Sequence, residues 1–310
     1  MAELPRVVFV GAIEGSKLAL ETLIEHGLVP VAVATLPLSK AHRHSDFVDL
    51  RPLAQAAGSQ VLEISNCNSP EALQSLRELQ PDLIFVMGWS QICRAEFLAI
   101  PTQGCIGYHP APLPVNRGRA VIPWTILQDR EQTGCTLFWL DDGVDSGDIL
   151  AQQCFPVSAD ETAGSLYRKH LDALRSMLAE NIPLLLQHRA PRRVQDHSSA
   201  SWCARRRPEH GLIDWQRDAA EVWRLVRAVG EPYPGAFSYF AGQKLTVWSA
   251  DWVGEAPHSA VPGQIVSIDA EGALVQCGDG LHLRLIAVQL EGQPVQQPLG
   301  VLKRHEQLGR

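Results

Sequence analysis

A short apolar, β-branched run, a turn and then an amphipathic stretch recur along the first third of the chain, and this repeat constrains the fold more than any other feature. RVVFVGA (6–12) is apolar throughout rather than alternating, which is the pattern of a strand buried on both faces. Glu14-Gly15-Ser16 turns the chain, and Lys17 to His26 carries a helical apolar period closed by Gly27. The unit returns as PVAVATL (30–36), a helix near Leu50 to Ala57, VLEI (61–64), a helix from about Pro70 to Leu79, and LIFV (83–86). Alternating strands and helices imply right-handed crossovers and a mostly parallel sheet covered on both faces.

The pattern then breaks. In GYHPAPLPVNRG (107–118), Pro110, Pro112 and Pro114 prevent a regular helix or central strand. A loop of this kind after a strand lies where open α/β sheets place ligands. A helix near Arg119 to Gln128 follows, with Pro123 in its opening turns, then a strand CTLFWL (135–140), the turn DDGVDSGD (141–148), a strand ILAQQCF and a long helix from Thr162 to Glu180. Residues 189–209 are polar, basic and aperiodic, the mark of a linker. Beyond them come a helix from Ala219 to Val229 and short strands at 244–250, 263–268, 273–277 and 281–288, spaced as in a small barrel. The expected organisation is a Rossmann-like α/β domain at 1–188, a linker at 189–209 and a mainly β, OB-like barrel domain at 210–310.

Composition narrows the function classes. With 45% apolar and 20% charged residues the 310-residue chain is not mainly disordered, and no apolar run approaches the roughly 20 residues of a membrane span. A soluble protein without a membrane partner is expected. The N-terminus has no basic region ahead of its first apolar run, which argues against a secretory signal. Seven scattered cysteines, none spaced as a metal clip, fit a reducing cytoplasm. The first turn lacks G-x-G-x-x-G and no phosphate-loop lysine pattern occurs, so dinucleotide and ATP sites are disfavoured. His42 and His44, flanked by Lys40, Arg43, Ser45 and Asp46, read as a mobile solvated loop, and the Asp141–Asp148 cluster lacks the closing Glu of a calcium loop. No metal is expected. Residues 208–310 hold 8 Lys and Arg against 12 Asp and Glu, a balance of −4 that argues against a nucleic-acid partner, as does reading Arg205-Arg206-Arg207 as linker.

His109 and Asp145 stand out chemically. Each follows a strand, in loops able to meet at one sheet edge, and a carboxylate beside an imidazole favours the protonated ring and orients it. Read from the residues alone, the pair is more often a hydrogen-bonded core histidine and a turn-forming aspartate than a catalytic pair.

The stretches GYHPAPLPVNRGRAVIPWTIL and TGCTLFWLDDGVDSGDIL resemble the formyltransferases that use 10-formyltetrahydrofolate. Members pair the histidine of an H-x-x-x-LP loop with the aspartate of a D-x-G-x-D-[ST]-G turn, here His109 with Leu113-Pro114 and Asp145 within Asp141 to Gly147. RRRPEHGLIDW (205–215), RAVGEPYPGAF (227–237) and KLTVW (244–248) are similar to the linker and C-terminal domain of aminoarabinose-pathway formyltransferases. Where most members have an asparagine two positions before the histidine, this chain has Gly107. The hydrolase domain of 10-formyltetrahydrofolate dehydrogenase also lacks that asparagine.

The resemblance implies a folate slot formed by Val86, Met87, Gly88, Trp89 and Ser90 together with Asp141, Asp142 and Val144, with Trp89 either stacking there or filling core. It implies His109 and Asp145 as the catalytic pair, with Gly107 at the third position. Tyr108, Pro110, Arg117 and Arg119 are the candidate contacts to the acceptor. The implied acceptor is a small amine, an amino-sugar nucleotide by the C-terminal likeness. Water, as in a 10-formyltetrahydrofolate hydrolase, and methionyl-tRNA are the alternatives, and a homodimer is left open.

Overall fold

The computed structural model describes residues 4–43 and 46–309, so His44 and Ser45 of the loop singled out above lie outside the described residues. The chain divides into two compact units, Met1–Val121 with Gln132–Pro156 and Arg168–Ala204, and Ile122–Glu131 with Val157–Tyr167 and Arg205–Arg310.

The elements run β1 (Val7–Gly11), α1 (Glu14–Glu25), β2 (Ala32–Thr35), α2 (Arg51–Ala56), β3 (Gln60–Glu63), α3 (Pro70–Glu78), β4 (Leu83–Met87), α4 (Ala95–Leu98), β5 (Gly104–His109), β6 (Arg117–Gly118), α5 (Val121–Leu127), β7 (Gln132–Trp139), β8 (Ile149–Pro156), α6 (Ala163–Leu186) and β9 (Trp202–Cys203). In the first unit, seven strands form one sheet in the order β3-β2-β1-β4-β5-β7-β8. The first five are parallel, and β7 and β8 are antiparallel to their neighbours. Every residue of β1, β2 and β4 is buried, whereas edge strands β3 and β8 carry exposed positions. Burial on both faces explains why the central strands read as continuous apolar runs.

Period-two alternation sorts the core into two layers. Phe9, Phe85 and Ile106 pack with α1, α2 and α6, while Val8, Val10, Ile84 and Cys105 pack with α3 and α4. This is the doubly covered, Rossmann-like arrangement. Its consequence on β5 is that Tyr108 joins the α6 layer, while Gly107 and His109 share the face of Cys105. The helix α6 runs past its expected end at Glu180 and contains Pro183. Proline removes one hydrogen bond, yet buried Ile182 and Leu185 keep the apolar face in contact with the core. The expected linker is also structured: Arg193 and Ile149 exchange backbone hydrogen bonds, and β9 pairs in parallel with β6.

The second unit holds α7 (Ala219–Val229) and strands β10 (Ala236–Phe240), β11 (Gln243–Gly254), β12 (Ile265–Asp269), β13 (Gly272–Gln276) and β14 (His282–Leu290). They form one antiparallel sheet in the order β10-β11-β14-β13-β12, with no ladder joining β10 to β12 among the described residues. The sequence reading contains no strand at β10, because Pro234 and Gly235 precede it as turn signals and Ser238 interrupts its apolar run. Ser238 is buried there and accepts the indole N–H of Trp215 at 2.9 Å. Among the described residues, no helix is long and apolar enough to cross a membrane.

Candidate active site

The first unit's chain leaves β1 toward β2 and β3, then returns to the opposite side of β1 at β4, so the carboxyl ends of β1 and β4 form the switch point of the sheet, where open α/β sheets place ligands. Buried Ser16 holds that point. Its hydroxyl donates to the Met87 carbonyl (2.6 Å) and accepts the N–H groups of Ala12 (3.1 Å) and Ile13 (3.0 Å). Gly88 turns the chain at φ +64°, and a Cβ there would lie 2.3 Å from Ile13 Cγ1, so only glycine fits. Among the described residues no backbone hydrogen bond involves Gly88 or Trp89, and the Ser90 carbonyl accepts from the exposed Arg119 guanidinium at 2.8 Å. Rigid, open backbone amides beside buried apolar Val86 and Met87 have the chemistry a flat heterocycle requires.

His109 closes β5 and is 4% exposed. Its Nε2 lies 2.7 Å from the carbonyl oxygen of Asn116, an acceptor only, so Nε2–H donates there. Nδ1 is left facing Asp145, with Oδ2 at 3.5 Å. Asn116 can serve because it sits at φ +58°, a conformation asparagine tolerates, and its own N–H donates to Ser201 Oγ at 2.9 Å.

Asp145 is likewise left-handed, at φ +50°, in the turn after β7. Its Oδ2 also accepts the Gly118 N–H at 2.7 Å, while Oδ1 has no partner among the described residues. Asp141 stabilises the turn from within, accepting the Ser146 hydroxyl (2.8 Å) and the Gly143 N–H (3.2 Å). Val144 is 45% exposed and Asp142 is exposed. His109 at the end of β5 and the turn bearing Asp145 therefore meet, although β5 and β7 run antiparallel with His109 in register with Thr136 and Ile106 with Trp139: β7 ends opposite Ile106, and the turn after it folds back toward the end of β5.

The remaining candidates fall elsewhere. Tyr108 points to the opposite face, its hydroxyl donating to the His170 carbonyl at 3.3 Å. Pro110 is half-buried in the loop after His109. Arg117 is 4% exposed; its Nη2 donates to Gln195 Oε1 (2.6 Å) and faces His197 Nδ1 (3.0 Å). Gly107 is buried, and a Cβ on it would meet Leu140 Cδ2 at 2.6 Å and Phe138 Cε1 at 3.2 Å. Apolar atoms thus line the position from which a side-chain amide would extend. Sequence reasoning missed Asn116, Gln195 and Ser201. Only Asn116 carries a local signal, as a left-handed-tolerant residue before Arg-Gly.

The family description Formyl transferase matches residues 30–182, and Formyl transferase, C-terminal domain, matches 206–306. The chain belongs to the formyltransferase family. It is 34% identical over 290 residues to a methionyl-tRNA formyltransferase of Geobacter sulfurreducens, covering 93% of this chain and 90% of that one, and 33% identical to the methionyl-tRNA formyltransferase of Acetivibrio thermocellus over 89% of both. Among solved structures, the sugar 3N-formyl transferase WlaRD, crystallised with dTDP and 5-N-formyl-THF, superposes with TM-score 0.69 at 16% identity over 94% of this chain and 100% of its own. HypX from Aquifex aeolicus in complex with tetrahydrofolic acid gives TM-score 0.67 at 18% identity over 97% of this chain, which spans 47% of HypX. At these identities the structures share the fold.

Proposed function

We propose that this formyltransferase moves the formyl group of 10-formyltetrahydrofolate onto a primary amine, and that the amine is the α-amino group of methionyl-tRNA. The observation that carries the chemistry is the His109–Asp145 contact, in which Nδ1 faces a carboxylate whose second oxygen is open. The folate, when bound, supplies an activated formyl group, and the backbone of Val86 to Ser90 together with the turn Asp141, Asp142 and Val144 are the groups that would hold it. With Nε2–H tied to the Asn116 carbonyl, Nδ1–H of His109, 3.5 Å from Asp145 Oδ2, is the donor that the formyl oxygen would share with that carboxylate as negative charge gathers there. Asp145, anchored through Oδ2 by Gly118, keeps the ring in place and presents Oδ1 to take the proton of the attacking amine, a proton that would pass to the departing folate nitrogen as its bond to the formyl carbon breaks. Arg119, exposed beside the loop, is the cation nearest to hand for an anionic acceptor, in line with Tyr108 and Arg117 being turned inward.

The acceptor rests on relatives of 33–35% identity along nearly the whole chain, which moves it from the amino-sugar nucleotide of the sequence reading to a nucleic acid. The sugar nucleotide stays as a second reading, favoured by the −4 balance over 208–310. Gly107 keeps water as a third reading, because the hydrolase domain of 10-formyltetrahydrofolate dehydrogenase likewise lacks the asparagine at this position. One assay separates the three: 10-formyltetrahydrofolate with methionyl-tRNA, with a panel of amino-sugar nucleotides, and with no amine, following formylated product and free formate. Formylated methionyl-tRNA is expected. Formyl-sugar product, or formate at the same rate without amine, would replace that acceptor, and no loss of the formyl group in any arm would overturn formyl transfer itself.

A further inference from the structure

The linker supplies a side chain that no motif marks. Gln195 is 3% exposed, two residues beyond the Arg193–Ile149 backbone bridge that fixes its position. Its Nε2 donates to the carbonyls of Asp145 (3.0 Å) and Gly147 (2.6 Å), and its Oε1 accepts from Arg117 Nη2 (2.6 Å). A guanidinium has no lone pair to offer, so Arg117 admits only the oxygen of the amide, and the NH2 group must face the turn. Arg117 is itself followed by Gly118, whose N–H holds the Asp145 carboxylate. Backbone and carboxylate of Asp145 are therefore gripped by two segments, the linker through Gln195 and β6 through Gly118, which the Arg117–Gln195 hydrogen bond joins.

We propose that Gln195 is a positioning residue for formyl transfer: by satisfying the two carbonyls it keeps Asp145 in its left-handed turn with the carboxylate on His109 Nδ1. This rests on the reading of His109 and Asp145 as the catalytic pair. Without Gln195 the buried Gly147 carbonyl and the half-buried Asp145 carbonyl lose this donor, and the turn relaxes toward water. A shift of about 1 Å in a catalytic group is enough to cost roughly 100-fold in rate.

The test is a double-mutant cycle. Gln195→Leu, assayed with 10-formyltetrahydrofolate and the fastest amine of the panel above, should lower kcat about 10- to 100-fold. KM for both substrates should change less than about threefold, because the residue touches neither. In an Asp145→Asn background the same substitution should have no further effect, a non-additivity that general structural weakening would not produce. Gln195→Glu provides a second variant: its carboxylate pairs with Arg117 and preserves folding, but turns an acceptor toward two carbonyls, and kcat should again fall. Wild-type kcat in a folded Gln195→Glu protein, or equal losses in the wild-type and Asp145→Asn backgrounds, would overturn the inference. A normal rate in Asp145→Asn alone would instead overturn the assignment of the pair.

Discussion

In the parallel sheet, Val7–Gly11 and Leu83–Met87 bury every residue, whereas β14 of the antiparallel sheet mixes buried and half-buried positions and β11 adds exposed ones. Side chains of the central parallel strands are consumed by packing on both faces, so polar chemistry is displaced to strand ends and the loops beyond them. There polar side chains are linked over long sequence distances: Asn116 to Ser201, Arg117 to Gln195 and Gln195 to Asp145, 85, 78 and 50 residues apart. In the antiparallel sheet the buried polar groups close over shorter spans, as Trp215 does with Ser238, 23 residues on, and Gln276 with both backbone groups of Ala260, 16 residues back. One sheet organises a site at its edge; the other spends its polar groups on holding itself together.

Removing buried volume is the strongest way to break that contrast. Phe85→Ala, in a strand covered on both faces, should cost about 3–5 kcal/mol, against about 2–5 kcal/mol for Leu285→Ala in the second sheet, read from denaturant unfolding. A Phe85 variant within 1 kcal/mol of wild type, judged against that range, would contradict the two-sided packing. Next in size, His109→Ala and Asp145→Asn should each lower turnover at least about 100-fold, near 2.7 kcal/mol, in proteins that still fold. Near-normal turnover in either would detach the strand-end network from chemistry.

The antiparallel sheet should answer in stability alone. Trp215→Phe leaves the buried Ser238 hydroxyl without its donor and should cost about 1–3 kcal/mol, checked by thermal unfolding. The smallest effect concerns His282. Burial lowers its pKa below the ordinary histidine value; the neighbouring His258 adds to the lowering and Asp279 opposes it. The unfolded chain therefore binds a proton more readily than the fold does, so stability holds above the unfolded value near 6.5 and declines as pH falls below it. His282→Leu should flatten the change in unfolding midpoint between pH 7 and pH 5, and an unchanged slope would remove His282 from the balance.

Much of the fold was readable because its signals are local. α3 begins at Pro70 as expected, with Ser69 capping the Ala72 N–H at 3.3 Å, and β1 and β4 fall within their apolar runs. Elements with weak local signals escaped: the four-residue α4, the two-residue β6 and β9, and β10 behind its Pro-Gly turn. At the site, the identities of His109 and Asp145 were legible from their motifs, while the inward turn of Tyr108 and the burial of Arg117 were not.

Taken alone, the order of residues determined which segments form strands and helices, and which imidazole and carboxylate belong to a formyltransferase motif, because periodicity and turn chemistry act over a few neighbours. Only the tertiary structure decided that Nδ1 rather than Nε2 faces Asp145, that Arg117 turns inward, and that Gln195 grips a turn 50 residues earlier. Those outcomes depend on strand order, register and the path of the linker, and a hydrogen bond between distant residues leaves no trace in the stretch of sequence around either partner.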